Sequence, residues 1–140
     1  MRTNFAFLCD AAAQGAEGKI SALGIGISQL HAQQVPVQRP QMVLVAQIGF
    51  DADEAGTKQL SVRLIDADGG NVIQPVDGQI VFNAPEGALS PVAQVMLEFA
   101  LVTFPTFGVY SVDLSIDGQS IASLPLEVLP LQIAQAPSDG

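Results

Sequence analysis

The side chains with the clearest potential for chemistry in this sequence are the carboxylates of two acidic loops. Asp51 and Asp53 lie in one loop, where Glu54 follows them, and Asp66 and Asp68 lie in another. Calcium takes six to eight oxygen ligands, and the loops of a β-sandwich can supply several of them from aspartates. The four aspartates therefore form a candidate calcium or small-ligand site. Neither loop has EF-hand spacing, and aspartates are also common in loops because they favour turns.

The residue types needed for catalysis are sparse. The chain has one cysteine, Cys9, and one histidine, His31. A nucleophile needs a base beside it, and we interpret His31, which ends a strand before two glutamines, as a surface residue. The segment Gly24-Ile25-Gly26 lacks the third glycine and following helix of a dinucleotide loop and indicates a bulge or close packing in a strand. We therefore expect neither enzymatic activity nor a cofactor.

Composition excludes several classes of partner. The chain has 140 residues, with 5 Lys and Arg against 14 Asp and Glu, and a formal net charge of −9. Nucleic acids and anionic membranes require a basic surface, so neither is an expected partner. The apolar run at residues 5–9 is too short for a signal peptide, and no run reaches the roughly 18 residues needed to cross a bilayer. We expect a cytoplasmic protein whose partner is itself or another protein.

The hydrophobic pattern has the two-residue period of β-strands almost throughout. Tyr110, Val112, Leu114 and Ile116 alternate with polar residues, as in a half-buried strand. About eight strands are expected, near residues 3–9, 19–30, 41–50, 58–66, 71–82, 93–104, 108–117 and 119–128. Residues 11–17 could instead form a single helical turn. The pattern predicts an all-β fold, a single antiparallel β-sandwich domain, immunoglobulin-like or related, over residues 1–128.

Two apolar segments need more cover than the opposing sheet alone provides. Residues 42–46 are apolar on both faces, so we expect the opposing sheet on one side and a loop or a second subunit on the other. Residues 129–140 form a C-terminal extension in which Leu129, Leu131 and Ile133 alternate. This extension either packs on its own sandwich or docks onto a neighbour. Donation to the exposed sheet edge of another copy is one specific mechanism.

The segment that includes Pro105, Gly108 and Tyr110 is typical of a structural anchor. A glycine shortly before a tyrosine that starts a strand is similar to the tyrosine corner of β-sandwiches, in which the phenol ties a loop to the strand. Tyr110 is the only tyrosine of the chain. We therefore assign these three residues a structural role. In the strand before this segment, Val95, Leu97, Phe99 and Leu101 alternate with Met96, Glu98 and Ala100. This alternation predicts that Leu101 faces the core.

Several short motifs follow one another in a defined order over residues 5–128. They are Phe7-Leu8-Cys9-Asp10-Ala11-Ala12, Gly18-Lys19-Ile20, Leu23-Gly24-Ile25, Pro36 with Pro40, Glu54-Ala55-Gly56, Asp66-Ala67-Asp68-Gly69, Phe104-Pro105 with Gly108 and Tyr110, and Leu124-Pro125-Leu126-Glu127-Val128. In order and spacing they resemble a widespread bacterial family of small proteins of unknown function. The resemblance implies a compact all-β domain and brings no activity with it. The extension after Leu129 looks longer than the family pattern requires.

Two functional hypotheses follow from the sequence. The first is a non-catalytic structural or interaction module that self-associates as a homo-oligomer through Leu129, Leu131 and Ile133. The physical basis of this hypothesis is the small number of charged residues, which leaves much of the surface uncharged. The alternative is a module that binds calcium or a small ligand with the acidic loops.

Overall fold

The computed structural model describes residues 1–131, which contain ten β-strands and no α-helix. Two single 3-10 turns lie at Ala16–Gly18 and Ala52–Glu54. The strands are β1 (Arg2–Cys9), β2 (Ala11–Gln14), β3 (Ile20–Leu23), β4 (Gln29–Ala32), β5 (Val37–Gly49), β6 (Gly56–Ile65), β7 (Val76–Phe82), β8 (Val92–Phe104), β9 (Gly108–Ile116) and β10 (Gln119–Pro130). The all-β prediction is confirmed.

The strands form two main sheets that pack face to face as a sandwich. One sheet has the order β1-β5-β8 and the other has the order β4-β10-β9-β6-β7, while β2 and β3 form a separate hairpin. Neighbouring strands are antiparallel except β10 and β4, which run parallel. In this pair β4, an early strand, lies at the edge of the sheet beside β10, the last strand of residues 1–131.

The predicted alternation of β9 is confirmed. Tyr110, Val112, Leu114 and Ile116 are all at most 2% exposed and face the opposite sheet. Each fully buried side chain of this size contributes about 1.5–3 kcal/mol to stability. The interface between the two sheets is therefore the main core of the domain, and its buried residues come from eight of the ten strands and from Phe50, which follows β5.

The doubly apolar segment of β5 is covered on both faces by this same chain. Met42 and Leu44 face the five-stranded sheet and belong to the main core. Val43 and Val45 face the other way and form a second cluster with Cys9, against which Ala12 and other residues of the β2–β3 hairpin pack. The requirement for cover on both faces is thus met by a hairpin and not by a second subunit.

Three local predictions differ from the structure. The single strand expected near residues 19–30 is two strands, β3 and β4, which lie in different sheets, and residues 1–131 contain ten strands where about eight were expected. Residues 11–14 form strand β2, because pairing with β3 along the whole hairpin overrides the helical preference of alanine, and helical geometry is limited to the 3-10 turn that follows. Leu101 is 64% exposed and has φ of +55, so it does not face the core. It lies opposite Pro40, where the β5–β8 register passes from Gln41–Ala100 to Arg39–Val102. Since proline has no N–H, the ladder is interrupted there.

Within residues 1–131 no helix is long and apolar enough to cross a bilayer.

Candidate functional site

The two acidic loops lie at opposite ends of β6. Asp51 and Asp53 precede the strand and Asp66 and Asp68 follow it, and a ten-residue strand spans about 30 Å. The four aspartates predicted as metal ligands therefore do not form a single site. Asp66 Oδ1 accepts hydrogen bonds from the backbone N–H groups of Asp68 and Gly70 at 2.9 and 2.8 Å. The carboxylate of Asp66 thus closes its own turn.

The first acidic loop brings three carboxylates together. Oxygens of Asp51, Asp53 and Glu54 lie within 4.8 Å of one another. The Glu54 carboxylate accepts hydrogen bonds from the N-terminal ammonium of Met1 at 2.8 and 3.0 Å and from the Asp51 N–H at 3.0 Å. The Asp51 N–H and then the Met1 ammonium lower the pKa of Glu54. Protein donors therefore already occupy the most enclosed carboxylate of the group.

Tyr110 is buried and holds the loop that precedes β9. Its hydroxyl donates to the Thr106 carbonyl at 2.7 Å and accepts from the Thr106 N–H at 3.2 Å. The ring packs edge-on against Phe104 with centroids 5.0 Å apart. Pro105 is exposed in the same loop, and Gly108 adopts φ of +141, a conformation that favours glycine. These contacts tie the end of β8 to the start of β9.

The first residues of the predicted C-terminal extension belong to the sandwich. Leu129 is half-buried in β10 and pairs with His31 of β4, and the Leu131 N–H donates to the Ala32 carbonyl at 2.8 Å. Leu131 itself is 44% exposed. Ile133 lies outside the described residues. The predicted boundary after Val128 therefore falls inside β10, and Leu131, the last described residue, lies beside β4.

An open cavity of about 500 Å³ lies between the two sheets next to β4. One wall is the continuous segment 24–31, and Asp10 and Arg39 of the three-stranded sheet form the opposite side. A smaller cavity of about 240 Å³ adjoins it at Leu30, His31 and Arg39. We call these two spaces together the edge cleft. Their size lies near or within the range of known ligand sites.

The backbone of β4 faces the edge cleft with unpaired groups. The carbonyls of Ser28 and Ala32 accept hydrogen bonds from β10 and the residue that follows it. Backbone N–H and C=O groups of successive residues in a strand point to alternate sides. Gln29 and His31 therefore direct their backbone groups away from β10, and β4 pairs with no other strand in residues 1–131. Both residues have exposed side chains.

The charged side of the edge cleft is an ion pair between a strand of the three-stranded sheet and the residue that follows its neighbour strand. Arg39 of β5 donates a hydrogen bond to Asp10, which directly follows β1. Asp10 also lies against Gly24, which adopts a φ of +67. The loop of residues 24–26 is held further by the N–H of Gly26, which donates to the Leu8 carbonyl at 2.8 Å.

The edge cleft was not predicted from the sequence. Its residues come from segments far apart in the chain, and His31 and the Gly24-Ile25-Gly26 segment were interpreted separately, as a surface residue and a bulge. The glycines do make a close approach, since Gly24 contacts Asp10. The one signal available was the position of Asp10 directly after an apolar strand.

Comparison of the sequence with known families matches residues 4–129 to a family of unknown function, DUF6941. The chain belongs to this family. The match covers both main sheets and the β2–β3 hairpin, and it ends at Leu129. The resemblance to an uncharacterised family is confirmed. The segment after Leu129 lies outside the DUF6941 match.

No curated protein sequence matches this DUF6941 chain. Among solved structures it is similar to crystal structures of β-glucosidase from Listeria innocua, in complex with glucose and with gluconolactone. The TM-scores are 0.48 and 0.46, at 15% and 13% identity, over 76% and 94% of this chain. The DUF6941 chain spans 15% and 17% of those two chains.

Proposed function

We propose that this chain is a non-catalytic β-sandwich module that associates with a second copy of itself through its C-terminal segment. The observation that carries the proposal is the hydrogen bond from the Leu131 N–H to the Ala32 carbonyl, which places the last described residue beside an edge strand. A segment that starts at one sheet edge is well placed to add to the edge of a neighbour. Ile133 provides an apolar side chain in that segment.

The other candidate association surfaces are less suitable. The outward face of β5 is already covered by the β2–β3 hairpin. The outer face of the five-stranded sheet carries a row of serines, Ser61, Ser115 and Ser120, which are paired across β6, β9 and β10. The hydroxyl groups and the cross-strand pair of Arg63 and Asp113 on the same face make it hydrophilic. These features support the C-terminal segment as the means of association.

Two features support a non-catalytic role. Cys9 is fully buried beside Val43 and Val45, and burial, followed by the neighbouring Asp10 carboxylate, raises the pKa of its thiol. A thiol in that state is a poor nucleophile. The imidazole of His31 is exposed on β4, in the other sheet.

A single unpaired cysteine also supports our proposal of a cytoplasmic location.

The test is the molar mass in solution, measured by light scattering after gel filtration. The full chain should be a dimer, and a chain ending at Leu131 should be a monomer with the same melting temperature. Truncation after Leu131 keeps all of β10 and its hydrogen bond to Ala32. A chain ending at Val128 is the control for damage to the sheet, since it also loses the pairing of Leu129 with His31. A monomeric full chain, or a 1–131 chain with unchanged mass, would contradict the proposal.

A further inference from the structure

We propose that the acceptor of the C-terminal segment is the edge cleft of a second copy, where residues 132–136 add to β4 as an antiparallel strand. This inference rests on the proposed self-association and identifies its binding site. The two copies exchange their segments around a twofold axis, which gives a closed dimer.

The backbone of β4 provides the hydrogen bonds. Gln29 and His31 together direct two N–H and two C=O groups into the edge cleft, because Ser28 and Ala32 use theirs toward β10. In an antiparallel ladder a residue exchanges both hydrogen bonds with the residue opposite. An added strand can therefore form up to four backbone hydrogen bonds with β4, without any change in the existing sheet.

The edge cleft has room for an extended peptide along this edge. Its two cavities, of about 500 and 240 Å³, adjoin at Leu30, His31 and Arg39. The space therefore follows the free side of the strand. Arg39, which is only partly exposed, supplies a cation opposite the strand edge, and its aliphatic stem can cover a peptide from the side away from β4.

The sequence of residues 132–136 suits an added strand. It reads Gln-Ile-Ala-Gln-Ala, with no charge, glycine or proline. Pro137 follows and has no N–H to donate, so pairing ends there. Five extended residues span about 17 Å, which matches the four residues of β4 and one flanking residue.

The direction of the chain favours a partner copy over the same copy. Since β10 and β4 are parallel, Leu131, the last described residue, lies beside Ala32 on the β10 side of β4, and the chain up to it runs in the direction of β4. To reach its own edge cleft it would have to reverse around residues 33–36, which connect β4 to β5. In a partner related by a twofold axis perpendicular to β4, β4 runs the opposite way, so a straight continuation of the segment would be antiparallel to it.

Two other edge strands, β8 and β7, are less suitable acceptors. The long edge strand β8 carries Glu98 at its centre and the positive-φ residue Leu101 near its end. The edge strand β7 carries Asp77 and Gly78. Inward or edge charges and irregular backbone are the usual means by which proteins prevent strand addition. Within β4, only the exposed side chain of His31 is ionisable.

The first test uses a synthetic peptide of residues 131–140 and the 1–131 chain, which keeps every described strand. Two N-methylated peptides are compared with the parent, one methylated at Ile133 and Gln135 and the other at Ala134 and Ala136. In an added strand only alternate N–H groups face β4. One methylated peptide should therefore bind at least about tenfold more weakly, as expected from losing backbone hydrogen bonds, while the other stays within about twofold. Equal effects of both would overturn the inference.

The second test uses the full chain and the substitution His31→Pro, which removes an N–H that faces the edge cleft and none that faces β10. The matched control, His31→Ala, removes the side chain and keeps the N–H. We expect His31→Pro to raise the dimer dissociation constant at least about tenfold and His31→Ala to leave it within about twofold. The melting temperature of each variant reports whether the domain is folded. If His31→Pro does not fold, the binding of the two methylated peptides decides whether the segment adds to β4.

The outcomes separate the inference from the proposed function. A full chain that is monomeric contradicts both. A full chain that dimerises, becomes monomeric on truncation after Leu131, and is insensitive to His31→Pro supports tail-mediated association and overturns the β4 acceptor, with the edge of β8 as the next site to examine.

Discussion

The carboxylate of Asp10 lies directly against the backbone of Gly24. A β-carbon at position 24 would lie 2.1 Å from Asp10 Oδ2, and Gly24 adopts φ of +67. The Asp10 carboxylate cannot move aside freely, because it also accepts a hydrogen bond from Arg39. Position 24 therefore requires glycine both for its conformation and for the space next to Asp10, and this contact shapes one end of the edge cleft.

We expect Gly24→Ala to lower the free energy of unfolding by about 2–3 kcal/mol. The left-handed conformation accounts for about 1–2 kcal/mol, and displacement of Asp10 from Arg39 accounts for the rest. Gly26→Ala is the matched control, since Gly26 has φ of +93 but a β-carbon added there would meet no heavy atom within 4 Å. Urea unfolding of both variants measures the difference. Equal losses would mean that the Asp10 contact has no energetic consequence.

Tyr110→Phe should destabilise the domain by about 1–2 kcal/mol, the usual effect of leaving buried polar partners unpaired. The change removes the hydrogen bonds to the Thr106 backbone while keeping the ring against Phe104. Thr106→Val is the control, because it removes only the contact between the two hydroxyl groups, 3.1 Å apart. Chemical unfolding should show a smaller loss for the valine variant. A phenylalanine variant as stable as the parent would exclude Tyr110 as an anchor.

Much of the fold could be predicted because period-two alternation reports directly on burial. The side chains of β9 alternate without interruption, and all four predicted core residues are buried. The prediction was wrong at Leu101, where the ladder partner is Pro40. Alternation within one strand contains no information about its partner, so this irregularity was not visible. The strand at residues 11–14 was missed for the same reason, since its stability comes from pairing with β3.

The edge cleft depends on which strands become neighbours. Gln29 and His31 have free backbone groups only because β4 lies at a sheet edge, beside the last strand of the described domain. Asp10 and Arg39 meet there because β1 and β5 are paired. The two acidic loops are the opposite case. They have similar composition, but they lie at opposite ends of β6 and so do not form one site. Sequence pattern identifies strands, whereas sites formed between strands depend on their order.

The contribution of Glu54 to stability should depend on pH. The Asp51 N–H and the Met1 ammonium lower its pKa in the folded state. A carboxyl group with a lowered folded pKa stabilises the fold above its unfolded pKa, about 4.3, and this contribution is lost as pH falls through the folded pKa. Glu54→Gln should therefore lower the melting temperature at pH 7, and the difference from the parent should shrink toward pH 3. Asp53→Asn is the control for general charge effects. A difference that stays constant with pH would contradict this role.

Calcium at millimolar concentration should leave the melting temperature unchanged. The two acidic loops are separated by the length of β6, and backbone donors occupy Asp66 Oδ1. Asp66→Asn should lower the melting temperature by the same amount with and without calcium, because the carboxylate stabilises its own turn. Differential scanning fluorimetry with calcium, and with magnesium as control, measures both effects. A calcium-specific rise that Asp66→Asn abolishes would instead support the ligand-binding alternative.

Leu101→Asn should raise the free energy of unfolding by about 0.5–1 kcal/mol, an unusual direction for a substitution that removes an apolar side chain. Leu101 is 64% exposed, so little burial is lost, and its φ of +55 is unfavourable for leucine. Asparagine tolerates this conformation because its short polar side chain bonds locally. Ala100→Asn, at the neighbouring exposed position of β8, should lower stability because asparagine is a poor strand former. Opposite signs in urea unfolding would establish that backbone conformation, and not polarity, limits the stability of this part of β8.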